Sequence, residues 1–282
     1  MKDFDIEKIH QTIWVFKNAF KNSDRLIDYV NNNKEWTDWY TFGTKAQVTG
    51  FIYRFNNFPS LEEWQNKNTT DEASNINFND LENEINDLFY ETTKLYVEGN
   101  NISFDNWIYQ GWDLAKYNAT PDSEGDYVMM HHTDFQRNVA YSPGEKFGIT
   151  AVFYLNDNYS GGEVMYRFLN DKDINIVEED YMYKPQTGDI VVFMSGHPHY
   201  HGVKIVTEGE KYIIRNYWRY DYSGHPLWLK LEEKHGKELW QEKEKERKKF
   251  NENPQNMTII NNIPFWVSFE DYYEKDIKDI EI

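Results

Sequence analysis

The chain has 282 residues, no cysteine and a formal net charge of −18. This length allows one large core with additions, and the lack of cysteine excludes disulfides and thiolate metal sites such as zinc fingers. The negative charge repels phosphate backbones and therefore argues against a nucleic-acid partner. No segment has the roughly 18 to 20 apolar residues of a membrane span or the apolar core of a signal peptide, so we expect a cytoplasmic protein without a membrane partner.

The first hundred residues predict one strand, two helices and an irregular stretch. A strand over 12–16 precedes a helix capped by Asn22-Ser23-Asp24. Residues 34–75 show no sustained period, which predicts irregular structure. Apolar residues then recur every three or four positions over 79–96, and this pattern predicts an amphipathic helix that ends at Gly99.

After Gly99 the pattern changes to short strands separated by turns, which is typical of a sandwich or barrel and not of an alternating α/β sheet. The predicted strands are 106–109, 112–117, one from Tyr127, 147–155, 163–166, 190–194, and a closing hairpin of 203–206 with 211–218. The charged stretch 237–249 predicts a solvated helix. The apolar tail over 259–267 predicts a segment that docks on the core or at a subunit contact.

We accordingly divide the chain into three regions. Residues 1–104 form an N-terminal region that packs on the core, residues 105–222 form the core, and residues 223–282 form a C-terminal extension.

Five of the eight histidines lie within 131–132 and 197–201. Imidazole is a suitable ligand for iron, copper, nickel and zinc. A His-x-Asp pair with one distant histidine is the ligand set of the facial triad. This triad leaves coordination positions of the metal open, as oxygen chemistry at Fe(II) requires. Residues two apart on a strand share a face, so His132 and Asp134 can bind one ion. His131 could replace His132 only on a helical turn. A later strand would supply the third ligand, for which the candidates are His197, His199 and His201.

From about Trp107 to Trp218 the order of motifs resembles the Fe(II)- and 2-oxoglutarate-dependent dioxygenases, within them the prolyl 4-hydroxylase-like branch. The matching features are Tyr117, His132-Thr133-Asp134-Phe135, Phe153-Tyr154-Leu155-Asn156, Gly161-Gly162-Glu163, Gly188-Asp189, His201-Gly202-Val203 and Gly209-Glu210-Lys211-Tyr212. The resemblance implies a mainly β fold with flanking helices around a double-stranded β-helix, a jelly-roll core of the cupin-like kind.

The resemblance also implies a role for each candidate residue. It makes His132, Asp134 and His201 the catalytic metal ligands, and it makes Lys211 the anchor for the far carboxylate of 2-oxoglutarate. Tyr154 and Tyr117 match tyrosines that approach this cosubstrate. A buried dicarboxylate requires a cation, and Arg215, on the same strand face as Lys211, is the alternative anchor.

The implied function is hydroxylation of an unactivated C–H bond with Fe(II), 2-oxoglutarate and O₂, with ascorbate as a further reductant. Peptidyl proline is the favoured substrate, and a free amino acid, another small molecule or nucleic acid is the alternative. A non-catalytic jelly-roll that binds metal is the other hypothesis, although a structural site needs neither an open position nor a buried cation. Gly161-Gly162 lies between strands, which indicates a β-turn and not a phosphate cradle, and Ser195 lacks a nucleophile elbow.

Overall fold

The computed structural model describes residues 3–33, 36–41, 44–49, 76–102, 104, 107–121, 126–134, 148–170, 173, 175–196, 199–220, 226–252, 258–260, 263–265, 275 and 278. Its helices are α1 (Ser23–Asn33), α2 (Ile76–Gly99), α3 (Pro226–His235) and α4 (Lys237–Glu252). Its strands are β1 (Ile6–His10), β2 (Ile13–Phe16), β3 (Trp36–Thr41), β4 (Thr44–Thr49), β5 (Trp107–Asn118), β6 (Tyr127–His132), β7 (Gly148–Tyr154), β8 (Ser160–Gly161), β9 (Val164–Leu169), β10 (Val177–Tyr183), β11 (Ile190–Met194), β12 (His199–Lys204), β13 (Val206–Glu208), β14 (Glu210–Tyr220), β15 (Thr258–Ile260) and β16 (Ile263–Phe265).

Two antiparallel sheets form a double-stranded β-helix. The large sheet has the order β1-β2-β11-β7-β14-β5-β4-β3, and the small sheet has the order β10-β9-β12-β6. Side chains alternate along each strand, so on β7 Val152 and Tyr154 face the inter-sheet core while Ala151 and Phe153 face the other side. On that side the large sheet packs against the apolar stripes of α1 and α2.

Several predicted elements are confirmed, and three are wrong. The helices α1, α2 and α4 lie where the sequence places them. The irregular stretch is wrong for 36–41 and 44–49, because β3 and β4 form a hairpin on the edge of the large sheet. The sequence of these two strands shows no clear alternation of apolar and polar residues. The two strands predicted over 106–117 are one strand, since Gly111 adopts a φ of 81° and the ladder continues through a bulge. Residues 50–75 lie outside the described part of the chain.

The predicted closing hairpin is also wrong, because β13 pairs with β8 while β14 lies between β5 and β7. The N-terminal region contributes to the main sheet, since β2 pairs with β11. Within the C-terminal extension, β15 and β16 pair with each other and β16 contacts β6. The three-region division itself stays a prediction. None of the helices in the described segments has the length and apolar character of a membrane span.

Candidate functional site

The two sheets bring three sequence-distant ligands together. His132 is the last residue of β6, and His201 lies directly opposite it on the neighbouring β12. Asp134 follows two residues after His132, and its Oδ1 and Oδ2 lie 3.5 Å from the Nε2 atoms of His132 and His201, respectively. One potential ligand atom from each residue lies within 4.8 Å of the others, so the three side chains can hold a single ion.

The carboxylate of Asp134 is oriented by two hydroxyl groups that the sequence did not reveal. Thr150 Oγ1 donates to Asp134 Oδ2 at 2.5 Å, and Ser195 Oγ donates to the same oxygen at 2.9 Å. Burial by itself would raise the pKa of Asp134, but His201, His132 and the Thr150 hydroxyl together hold it well below its usual range. The carboxylate is therefore ionised and fixed in direction before any metal binds.

Each histidine presents a nitrogen to the shared position. His132 Nδ1 lies 2.8 Å from the carbonyl oxygen of Met130, and this bond places its proton on Nδ1 and leaves Nε2 as a ligand. Burial lowers the pKa of His201 to about 3, against the opposing effect of Asp134. Two imidazoles and one carboxylate form the donor set of the facial triad, so the residues present fit Fe(II).

Lys211 lies in the cavity that the three ligands line. Its side chain is 1% exposed, and its ammonium donates to the carbonyl of Gly162 at 2.6 Å. Within the described residues it forms no ion pair, although Glu163 raises its pKa from a greater distance. Burial, followed by the charge of Lys184, lowers the pKa of Lys211 to about 7. An ammonium buried without a carboxylate is suited to bind an anionic ligand.

The position of Lys211 on β14 is fixed by its neighbours. Asn156 donates to the carbonyl of Glu210 at 2.7 Å and accepts from the backbone N–H of Tyr212 at 2.8 Å. The bonds of Asn156 therefore flank Lys211 on both sides. The Tyr154-Leu155-Asn156 motif thus holds the strand that carries the buried cation.

Arg215 lines the same cavity but already has an anionic partner. Its Nε donates to Asp113 Oδ1 at 2.7 Å and its Nη2 donates to Oδ2 at 2.6 Å. This bidentate pair joins directly opposed residues of β14 and β5. The two candidate anchors therefore differ in their surroundings, because Asp113 neutralises Arg215 and Lys211 has no such partner among the described residues.

Tyr117 and Tyr154 lie beside Lys211, with ring centroids 5.7 Å and 5.3 Å from its Nζ. Burial raises the pKa of both phenols, that of Tyr154 well above its usual range. Both side chains are neutral donors at physiological pH, so Lys211 shares the cavity with these two phenols and the three ligands.

The remaining histidines lie apart from this set. His131 packs on the ring of Tyr127 with centroids 5.1 Å apart, and burial lowers its pKa to about 4. His199 packs edge-on against Phe168 at 5.4 Å, and His10 lies against the same ring at 4.3 Å. His235 stacks on Trp240. Two further histidines fall outside the described residues, His197 and His225.

Comparisons with known proteins agree with this fold and donor set, which together define a jelly-roll protein of the non-haem iron type. Residues 114–219 match the model of the 2OG-Fe(II) oxygenase superfamily. Human prolyl 3-hydroxylase 2 is 31% identical over 83 residues, which are 29% of this chain and 10% of that protein. The match to the chicken protein covers 29% of this chain and 11% of that protein. The chain therefore spans about a tenth of the length of the curated relatives it matches.

Solved structures resemble the chain at low identity. A Pseudomonas putida prolyl-4-hydroxylase covers 74% of this chain and 93% of its own, with 13% identity and a TM-score of 0.42. A Trichoplax adhaerens prolyl hydroxylase in complex with a hypoxia inducible factor peptide fragment covers 75% and 84%, with 14% identity and a TM-score of 0.45.

The match to the 2OG-Fe(II) oxygenase superfamily runs from β5 to β14 and contains all three ligands of the candidate metal site. The family's name specifies 2-oxoglutarate and Fe(II), and His132, Asp134 and His201 fit such an ion.

Proposed function

We propose that this protein hydroxylates an unactivated C–H bond and consumes one 2-oxoglutarate and one O₂ for each product. The C–H bond becomes C–OH by gaining one oxygen atom of O₂, and the second atom enters the succinate formed as 2-oxoglutarate loses CO₂. The observation that carries this proposal is one cavity lined by three metal ligands and by a buried lysine that forms no ion pair among the described residues. A structural metal site would need only the ligands.

His132, Asp134 and His201 hold the metal in this proposal. The chemistry that Fe(II) supplies when bound is the coupling of O₂ to the oxidative decarboxylation of the cosubstrate. Thr150 and Ser195 keep the Asp134 carboxylate in its binding orientation.

Lys211 anchors the far carboxylate of 2-oxoglutarate. Its ammonium would otherwise remain buried without an anion, so the carboxylate and the lysine stabilise each other in the barrel. Tyr117 and Tyr154 border the same space and can donate hydrogen bonds to the cosubstrate. Apolar side chains line much of the remaining surface of the cavity: Met129, Val152, Val164, Phe193, Val203 and Ile213.

The proposed substrate is a peptidyl proline, supported by the local similarity of this chain to prolyl 3-hydroxylase 2. A free amino acid or another small molecule stays the alternative substrate. Ascorbate as a reductant and the cytoplasmic location stay predictions.

A turnover experiment separates these possibilities. The Fe(II)-loaded protein is incubated with 2-oxoglutarate, with and without ascorbate, and with either proline-containing peptides or free amino acids. Succinate formation and a product heavier by one oxygen atom are measured. The proposal predicts that both signals rise together for one substrate class and vanish in Asp134→Ala, while the surface control Asp87→Ala retains them. Succinate formation unchanged in Asp134→Ala would refute it.

A further inference from the structure

A second lysine lies beside the proposed cosubstrate anchor. Lys184 follows β10, and its Nζ donates to the carbonyl of Gly161 at 2.5 Å and to that of Tyr159 at 3.2 Å. Its Nζ also lies 3.7 Å above the centroid of the Tyr159 ring. The next carbonyl along the chain, that of Gly162, accepts the hydrogen bond from Lys211. Two ammonium groups therefore bind consecutive carbonyls of one turn.

The backbone of this turn leaves no room for a side chain at Gly161 or Gly162. Gly161 and Gly162 adopt φ angles of 72° and 66°, which favour glycine. A Cβ at Gly161 would lie 2.3 Å from the carbonyl oxygen of Ile205, and one at Gly162 would lie 3.3 Å from Cδ of Lys211. Both positions therefore require glycine, and the two carbonyls of this turn are bound by Lys184 and by Lys211.

The groups that face Lys211 explain how its charge is controlled. Three phenols surround it, from Tyr117 on β5, Tyr154 on β7 and Tyr159 before β8. Two charged side chains also act on it. Lys184 lowers the pKa of Lys211, and Glu163 raises it. With so little compensation, burial places the pKa of Lys211 near 7, so its amine carries a proton in only part of the molecules at neutral pH.

We propose that Lys184 is a positioning residue for Lys211 and acts through the Gly161-Gly162 turn and through the positive charge of Lys184. As a result, Lys211 must take up a proton when a cosubstrate carboxylate binds. This inference rests on the proposed function, because it takes 2-oxoglutarate as the ligand. An anion beside Lys211 favours its protonated form, and binding therefore becomes weaker as the pH rises.

The test is an anaerobic titration of the Fe(II)-loaded protein with 2-oxoglutarate at a series of pH values. Absorbance gives the affinity, and calorimetry in buffers of different ionisation enthalpy gives the number of protons taken up. With a Lys211 pKa of about 7, the affinity of the wild type should fall about 25-fold between pH 6.5 and 8.5. Close to one proton should be taken up per ligand at the upper pH.

Three variants isolate the role of Lys184. Lys184→Gln removes the charge but keeps a donor, and its affinity should fall by about fivefold or less over the same range. Lys184→Arg keeps the charge and should follow the wild type, which also shows that the turn tolerates substitution. Lys94→Gln removes an exposed lysine that pairs with Glu98 on α2, and its pH profile should match that of the wild type.

Each contrary outcome has a definite meaning. A wild-type affinity that does not change with pH, or equal slopes in the wild type and Lys184→Gln, would overturn the inference alone. Uniform weakening of Lys184→Gln at every pH would assign Lys184 a purely structural role and overturn it as well. Complete absence of 2-oxoglutarate binding to the Fe(II)-loaded wild type would overturn the proposed function together with this inference.

Discussion

Replacing Lys211 with methionine should stabilise the cosubstrate-free protein. The lysine is 1% exposed, and burial lowers its pKa from 10.5 to about 7. One pKa unit corresponds to about 1.4 kcal/mol, so keeping this ammonium protonated costs the folded state roughly 5 kcal/mol. Methionine has a similar length and no charge, but it loses the hydrogen bond to Gly162, which contributes about 1 kcal/mol. We therefore expect a gain of about 4 kcal/mol in the free energy of unfolding near neutral pH.

The gain should depend on pH in a defined direction. Below pH 7 the lysine is protonated in both the folded and the unfolded state, so the whole penalty applies. Between the folded pKa of about 7 and the unfolded value of 10.5, the unfolded chain binds more protons. The wild type therefore gains stability as the pH rises, and the advantage of methionine shrinks.

Urea unfolding of metal-free protein, followed by tryptophan fluorescence at pH 7 and at about pH 9, measures this difference. The exposed control Lys94→Met should stay within about 0.5 kcal/mol of the wild type. With Fe(II) present, Lys211→Met should bind 2-oxoglutarate about 100-fold more weakly, because the charge-assisted bond is lost. If Lys211→Met were less stable than the wild type at pH 7, the lysine would not be buried at a cost and the argument for its role would fail.

Three further substitutions test other parts of the site. Thr150→Val removes a hydroxyl that orients Asp134 and should weaken Fe(II) binding about 10-fold in a chelator competition; unchanged affinity would show that the bond has no effect. Gly162→Ala places a Cβ in a backbone conformation with φ of 66°, so its unfolding free energy should fall by about 1–2 kcal/mol, and equal stability would contradict the strain. Asp113→Asn removes the carboxylate that pairs with the buried Arg215 and should lower the free energy of unfolding by about 3 kcal/mol. A calorimetric scan should show a lower thermal midpoint, and an unchanged midpoint would refute this prediction.

The parts of the fold that the sequence predicted are those with a strong local pattern. The amphipathic period of α2 and the continuous apolar run of β7 each indicate one kind of element. The edge hairpin of β3 and β4 was missed, because its side chains do not alternate clearly between apolar and polar. The prediction that the strands at 203–206 and 211–218 pair as a hairpin was wrong. A short turn between two apolar runs is typical of a hairpin, but it does not determine which strands pair.

In the site, too, only the residues that form a local sequence pattern could be predicted. The spacing of His132 and Asp134 is a local pattern, so the sequence indicated that they share an ion, and the structure places His201 beside them. Ser195 donates to Asp134 from a separate strand end, and Lys184 reaches the turn beside Lys211 from another part of the chain. Such contacts depend on strand register, which no local pattern specifies.

We propose that one cavity binds Fe(II) through His132, Asp134 and His201 and binds 2-oxoglutarate through Lys211. Anaerobic titration of the Fe(II)-loaded protein with 2-oxoglutarate, followed by visible absorption, detects both ligands in one experiment. We expect a weak metal-to-ligand charge-transfer band in the wild type, loss of the band in Asp134→Ala, and a much higher 2-oxoglutarate requirement in Lys211→Met. Tightly bound iron that gives no band in the wild type, or an identical band in Asp134→Ala, would contradict the claim.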